Sequence, residues 1–233
     1  MLDRDLRASE ENSDVRRLAR ARTIVVLDAL DPTRQERVLR FLSEADLIRP
    51  TPPDEQPVIT LKYAKLENIE LPHRILLKGA DLQQADLSGA YLTDIDFRGT
   101  YLAGAHLEEA NLERAELQGA DLSGTFMSRA DLSGADLTDV DLSNAEGLWE
   151  KGTYLWKRGA GLNDADLSNA NLSGADLTNA NLSGANLKGA DVTAEQLAEC
   201  GSLEGATMPN GQKYEDWLKG EGSGGDAENA GTS

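Results

Sequence analysis

The chain has 233 residues, 41 acidic against 23 basic, for a formal charge of −18 and a pI near 4.4. That balance argues against direct binding to nucleic acid or to an anionic membrane surface. With Cys200 as the single cysteine there is neither an internal disulfide nor a cysteine metal cluster, so a reducing compartment and a cytoplasmic location are expected.

Residues 1–12 are charged and expected to fray. Ser13 reads as an N-cap, with Val15, Leu18, Val25 and Ala29 on one helical face reaching Leu30. Asp31-Pro32 reads as a second N-cap with proline at the first helical position. The second helix carries Val38, Leu42 and Ala45 at i, i+4 and i+7, widened by Leu39 and Phe41, and ends near Ile48. Residues 1–49 are therefore expected to form a helical hairpin with an apolar seam. A stiff proline-rich linker, 50–57, follows it. The longest aliphatic run, Ile24-Val25-Val26-Leu27, is far short of a membrane span, and no signal peptide is recognisable.

From residue 75 the chain is written in fives. Units such as Ala85-Asp86-Leu87-Ser88-Gly89 continue to Asn144 and resume in the same phase from Ala160 to Ala194. Leu holds the centre in 18 of 21 units, with Phe97, Met127 and Val192 as the exceptions. Ala stands two before the centre in 16 units, and Asp or Asn one before it in 14. Such regularity demands one repeating backbone path. Five matches neither a helix nor a flat strand. A short extended side turns Ala and Leu to one surface and the intervening Asp or Asn to the other. The last two places, rich in Ser-Gly and Thr-Asp, suit a corner. Coils built this way bury their leucines only by stacking.

The A-(D/N)-L-x-x units resemble those of the pentapeptide-repeat proteins. The resemblance implies an all-β solenoid, a right-handed four-sided β-helix with inner Leu and Ala ladders and 20 residues per coil. Residue i would then lie beneath i+20. Three irregular units centred on Leu61, Leu66 and Leu71, one residue out of phase, bring the stack to six coils over 58–194, about 29 Å long. The buried ladder is expected to include Leu82, Leu87, Leu92, Phe97, Leu102, Leu122, Met127, Leu142, Leu162 and Leu177. The Val15–Thr23 and Val38–Leu42 segments resemble the helices preceding the repeats in certain bacterial membrane-anchored members. On that likeness the chain is either a soluble relative or a cytosolic portion of a longer one, meeting a membrane only indirectly or through a missing anchor.

The break at 145–159 is three units long, so phase survives, but Gly147, Gly152 and Lys157 would fall in the Leu ladder. A lysine there would be a buried, unpaired charge. The segment is therefore expected to leave the rod as a loop, with stacking of i+35 across it and Leu142 beneath Leu177. Trp149, Tyr154, Trp156, Lys157 and Arg158 make this loop a candidate partner anchor, since Trp, Tyr and Arg lead interface hot spots. A self-packed loop is the alternative. Thr193 and Gln196 form a capping-box pattern opening a short capping helix, with 195–219 as the cap and 220–233 as a disordered tail. A terminal cap also offers a route to a homodimer.

No motif of acyl, phosphoryl or metal chemistry appears, His73 and His106 lack partners at a recognisable spacing, and no cofactor is expected. The outward column Asp96, Glu116 and Asp136 either solubilises the rod or mimics duplex charge, as in family members that protect type II topoisomerases (gyrase) from drugs. His106 and Phe126 should stack on one face beside Tyr91 and Tyr101, forming either a contact surface or the wall on which the hairpin docks. The expected function is a non-catalytic scaffold that binds another protein of unknown identity.

Overall fold

The computed structural model describes Ser9 and residues 13–50, 57–72, 75–143, 149–150, 153–154 and 160–221. Its elements in chain order are α1 (Asp14–Asp28), α2 (Pro32–Glu44), the two-residue strands β1 (Trp149–Glu150) and β2 (Thr153–Tyr154), α3 (Ala194–Ala198) and α4 (Tyr214–Glu221). Most of the remaining described chain winds into stacked four-sided coils. Successive coils meet through parallel bridges at the residue before each central one, such as Asp96↔Glu116 and Glu116↔Asp136. Each side is thus a single isolated bridge rather than a strand, because a corner interrupts it before the ladder can lengthen.

The corners explain the last two letters of the unit. The amide two after one centre's neighbour bonds back across the corner, as Ala85 N–H does to the Leu82 carbonyl at 3.0 Å. The fifth residue has positive φ along the stack, from Gly89 (66°) to Asp94 (57°) and Asn179 (60°). A turn with positive φ at its third residue favours Gly, then Asn and Asp.

The Leu and Ala ladders are inside. Leu82, Leu87, Leu92, Phe97, Leu102, Leu122, Met127, Leu142, Leu162 and Leu177 are all buried. Thr100 and Thr125, standing in Ala places, are buried too, and satisfy their hydroxyls on the carbonyls of Leu77 (3.0 Å) and Leu122 (2.7 Å). Across the break the step lengthens from 20 to 35: Asp141 bridges Asp176, and Leu142 N–H bonds the Asp176 carbonyl at 2.9 Å. Ala160 N–H donates to the Leu142 carbonyl at 2.9 Å, the corner bond that the next unit would make in an unbroken run. In the first coil the step is 21, as Lys65↔Asp86 and Glu70↔Tyr91, which matches its shifted phase.

The hairpin corrects one expectation. Val15, Leu18 and Val25 face outward, as does Phe41, while α1 buries Arg16 and Leu27 and partly covers Ala19 and Ile24. On α2 the buried residues are Gln35, Leu39, Leu42 and Ser43. The reason lies in the first coil, whose outer edge has no coil before it. Its backbone needs partners, and polar side chains of the hairpin supply them. Gln35 Nε2 donates to the Lys65 carbonyl (2.7 Å), and Asp28 Oδ1 accepts from Lys65 N–H (3.3 Å). Ser43 Oγ donates to the Leu76 carbonyl and accepts its N–H, at 3.2 and 2.9 Å. Arg20 reaches the carbonyls of Val58 and Pro57. A sheet edge is blunted by covering it, and unpaired buried backbone is the costlier alternative. The hairpin's hydrogen bonds to the rod therefore go to backbone at its first end, and among the described residues none reaches Tyr91, Tyr101, His106 or Phe126, contrary to the expected wall.

At the far end the capping box of Thr193 and Gln196 is formed, and Gln196 Nε2 bonds the carbonyls of Leu172 and Ala175 at 2.7 and 2.9 Å. The stack does not stop there. After α3 the chain rejoins it for two sides, with Ser202 on Asn181 and Thr207 on Asn186, and Leu203 and Met208 extend the buried ladder. Tyr214 and Trp217 of α4 stack at 6.3 Å. No described helix is long and apolar enough to cross a membrane.

Candidate functional site

The outward residues form four columns. One runs Asp96, Glu116, Asp136, Asn171, Asp191, and a second Asp81, Tyr101, Asp121, Asp141, Asp176. A third runs Asp86, His106, Phe126, Gly161, Asn181, and the fourth Tyr91, Asn111, Asp131, Asp166, Asn186. The columns are where a partner would read this surface.

The Asp and Asn side chains are less free than surface decoration would be. One oxygen accepts the backbone N–H two residues on: Ser88 N–H to Asp86 Oδ1 (3.1 Å), Ser123 N–H to Asp121 Oδ1 (3.0 Å), Ser173 N–H to Asn171 Oδ1 (3.0 Å). These are Asx turns. They explain why Asp and Asn interchange at this place, since either supplies the oxygen. Asp121→Asn is accordingly expected to change stability by less than about 0.5 kcal/mol. Asp121→Ala, which leaves the Ser123 amide and hydroxyl without that oxygen, should lose about 1 kcal/mol. Urea denaturation of the two variants checks both values.

The predicted acidic column is partly neutralised. Arg98 donates from Nε and Nη2 to both oxygens of Asp96, at 2.9 and 2.7 Å, and its Nε lies 3.2 Å from Glu116 Oε2. That hydrogen-bonded guanidinium holds the Asp96 carboxyl below its usual range, against the opposing effect of burial. At Asp136 burial works to raise the pKa, but hydrogen bonds from Thr138 and Gln118 outweigh it and keep the carboxyl low. At the corners Arg114 pairs with Asp94 and Glu113, and Arg129 with Glu109. Asp94 and Arg114, like Glu109 and Arg129, are 20 residues apart, so the stacking rule could have found these pairs in the sequence. An acidic run with no ion pair among the described residues lies elsewhere, in Asp121, Asp141 and Asp176 on three successive coils.

His106 and Phe126 stack with ring centroids 4.7 Å apart and planes within 12°. Glu108 Oε1 lies 3.4 Å from His106 Nδ1. Tyr91 and Tyr101, on the two adjoining faces, are exposed. An aromatic group thus spans three neighbouring columns of a polar rod.

In the break, Trp149 pairs with Tyr154 and Glu150 with Thr153 in the antiparallel β1–β2 register. Trp156, Lys157 and Arg158 lie outside the described residues, as does His73. Among the described residues no three His, Cys, Asp or Glu converge as metal ligands. The Cys200 thiol is pushed up to about 12, chiefly by burial, which leaves it protonated and unreactive at neutral pH. A cleft of about 360 Å³ between α2 and the first coil is lined by Pro32, Thr33, Glu36, Arg40, Asn68, Glu70 and Pro72, with Arg40 already bonded to Glu36.

A family model described as Pentapeptide repeats matches eight copies, over residues 75–114, 110–146 and 159–193. Among solved structures, HetL of Nostoc sp. strain PCC 7120, a pentapeptide repeat protein involved in heterocyst differentiation regulation, is 30% identical over 67% of this chain and 75% of its own, with a TM-score of 0.29. Rfr23, a pentapeptide repeat protein from the cyanobacterium Cyanothece 51142, is 34% identical over 46% of this chain, with a TM-score of 0.33. The match spans 58% of Rfr23's length. Full-length QnrB1, a plasmid-mediated fluoroquinolone resistance protein, is 22% identical over 71% of this chain and 85% of its own, at a TM-score of 0.28. A comparison with curated proteins finds no match.

Proposed function

Because the chain belongs to the pentapeptide-repeat family, we propose that it is a non-catalytic scaffold, a right-handed coil that binds another protein in the cytoplasm. Members of this family are generally interaction proteins rather than enzymes. The observation that carries the reading is the aromatic group of Tyr91, Tyr101, His106 and Phe126 on three contiguous faces. Most other outward places hold Asp or Asn, and these are occupied in forming turns. Tyr91 and Tyr101 are exposed and His106 and Phe126 half-buried; an apolar group on a polar surface marks a contact site, and the tryptophans of the 145–159 segment would extend this one. A membrane would be met only indirectly or through a missing anchor.

The test is capture of partners by the intact chain and by a chain whose residues 145–159 are replaced with a short Gly-Ser link. A partner held by the first and lost by the second supports the loop as anchor. Equal capture by both removes the loop from the site.

A second reading, mimicry of duplex DNA toward a type II topoisomerase, is favoured by the Asp121, Asp141 and Asp176 run. Against it stand Arg98, Arg114 and Arg129, which answer neighbouring carboxylates. A salt-sensitive effect on gyrase supercoiling would support mimicry, and no binding at low salt would dismiss it.

A further inference from the structure

α1 turns outward a face that the fold leaves unused. Val15, Leu18, Val25 and Val26 are 54%, 52%, 68% and 48% exposed. At about 100° per residue they fall on one stripe with Ala21, Arg22 and Ala29. The stripe turned toward the rod is a different one, running through Arg16, Ala19, Arg20, Thr23, Ile24 and Leu27. This helix is amphipathic for the rod and carries a second apolar surface besides.

The spacing of that surface is informative. Val15, Leu18, Arg22, Val25 and Ala29 alternate steps of three and four, the seam of a two-stranded coiled coil. Arg22 stands in the middle of it, exposed, with no hydrogen bond or ion pair to any described residue. The two acids of the helix are engaged elsewhere: Asp14 with Arg17, and Asp28 with the Lys65 amide. The seam therefore presents one unanswered positive charge among aliphatic side chains.

The alternatives for covering it fare poorly. A second copy in parallel would set Arg22 against Arg22, and an antiparallel copy would bring Asp14 and Asp28, which flank the seam, together. Both arrangements place like charges in contact. Residues 1–12 carry carboxylates as well as Arg4 and Arg7, but offer only Met1, Leu2 and Leu6 as large apolar side chains, too few to fill a seam that runs from Val15 to Ala29. An anionic bilayer is opposed by a chain charge of −18. We infer that the outward face of α1 is a docking site for an amphipathic helix of another protein, with aliphatic residues at three–four spacing and a carboxylate opposite Arg22. The inference rests on the scaffold reading and gives it a second, separate contact surface.

The test uses the full chain and two fluorescein-labelled 21-residue helical peptides. Both have leucine at the seam positions, one with glutamate and one with lysine at the place facing Arg22. Fluorescence anisotropy should show the glutamate peptide binding at least about tenfold more tightly, the size of effect a close charge pair at an interface can produce. Arg22→Glu should reverse that order. Leu18→Asp combined with Val25→Asp should abolish binding of both peptides with an unchanged unfolding midpoint, since the two side chains are exposed. Equal affinities, no binding, or an order unaltered by Arg22→Glu would overturn the site. So would concentration-dependent self-association, or binding to phosphatidylserine vesicles, that Leu18→Asp removes, or peptide binding that appears only after deletion of residues 1–12. Partner capture that depends on 145–159 is read in a separate experiment, so a negative result at α1 leaves the scaffold reading standing.

Discussion

Leu122→Ala, at mid-rod, is expected to lower the unfolding free energy by about 2–5 kcal/mol. Leu122 is fully buried, in the column that holds Leu102 before it and Leu142 after it. The cavity left by truncation would not close readily. The backbone on either side is pinned by Leu102 N–H to the Asp121 carbonyl and Leu122 N–H to the Asp141 carbonyl, both at 2.8 Å. Thr125 adds a third constraint through its hydroxyl bond to the Leu122 carbonyl. A stack stabilised by nearest-neighbour contacts transmits such a defect to the coils on both sides. Urea denaturation followed by circular dichroism measures the loss. A loss no larger than that from Asp121→Asn would mean that inside and outside have been exchanged.

The second large effect is expected at a corner. Gly184 has φ of +73°, and a Cβ built on it would lie 2.2 Å from Asp164 Oδ1 in the coil below. Gly119 has a comparable φ of +63° but nothing within 4 Å of such a Cβ. Both positions penalise a side chain for the left-handed backbone, which is worth about 1 kcal/mol. Only Gly184 must also displace a stacked carboxylate. Gly119→Ala should therefore lose about 1 kcal/mol and Gly184→Ala about 2–3 kcal/mol. Thermal and chemical unfolding of the two variants would compare them, and equal losses would show that the Asp164 side chain yields freely. Gly174, over Asp139 at 2.2 Å, offers a second instance of the same contact.

Period and chemistry made the rod legible in the sequence. The burial of Leu and Ala follows from the alternation of an extended side, and the 35-residue step follows from the phase kept across 145–159. What the period could not reveal lies at the ends and in the outward places. Val15, Leu18 and Val25 form the more regular apolar stripe of α1, so pattern alone points them inward. The structure instead turns Arg20, Asp28, Gln35 and Ser43 toward the rod, because the first coil needs hydrogen-bond partners more than it needs aliphatic cover. Such a preference depends on which backbone groups are left over, and that is known only once the coil is built. The return of the chain to the stack at Ser202 and Thr207 was hidden by α3, which breaks the phase by one residue. The turn-forming role of Asp121 and its equivalents was visible in the recurring Asp-Leu-Ser and Asn-Leu-Ser triplets. It was masked there by the simpler idea that outward acids keep a rod soluble.

The continuity of the rod across the break is tested most directly by equilibrium unfolding of a chain lacking residues 145–159. Asn144 would then join Ala160, whose amide already makes the corner bond to the Leu142 carbonyl, and the step from Asp141 to Asp176 would become 20. Removing a loop of this length relieves closure entropy without opening the core. The unfolding midpoint should equal or exceed that of the intact chain, with one cooperative transition. A loss of about 2 kcal/mol or more, comparable to that expected for Leu122→Ala, would show that the segment is a working part of the coil and would contradict its place outside the rod.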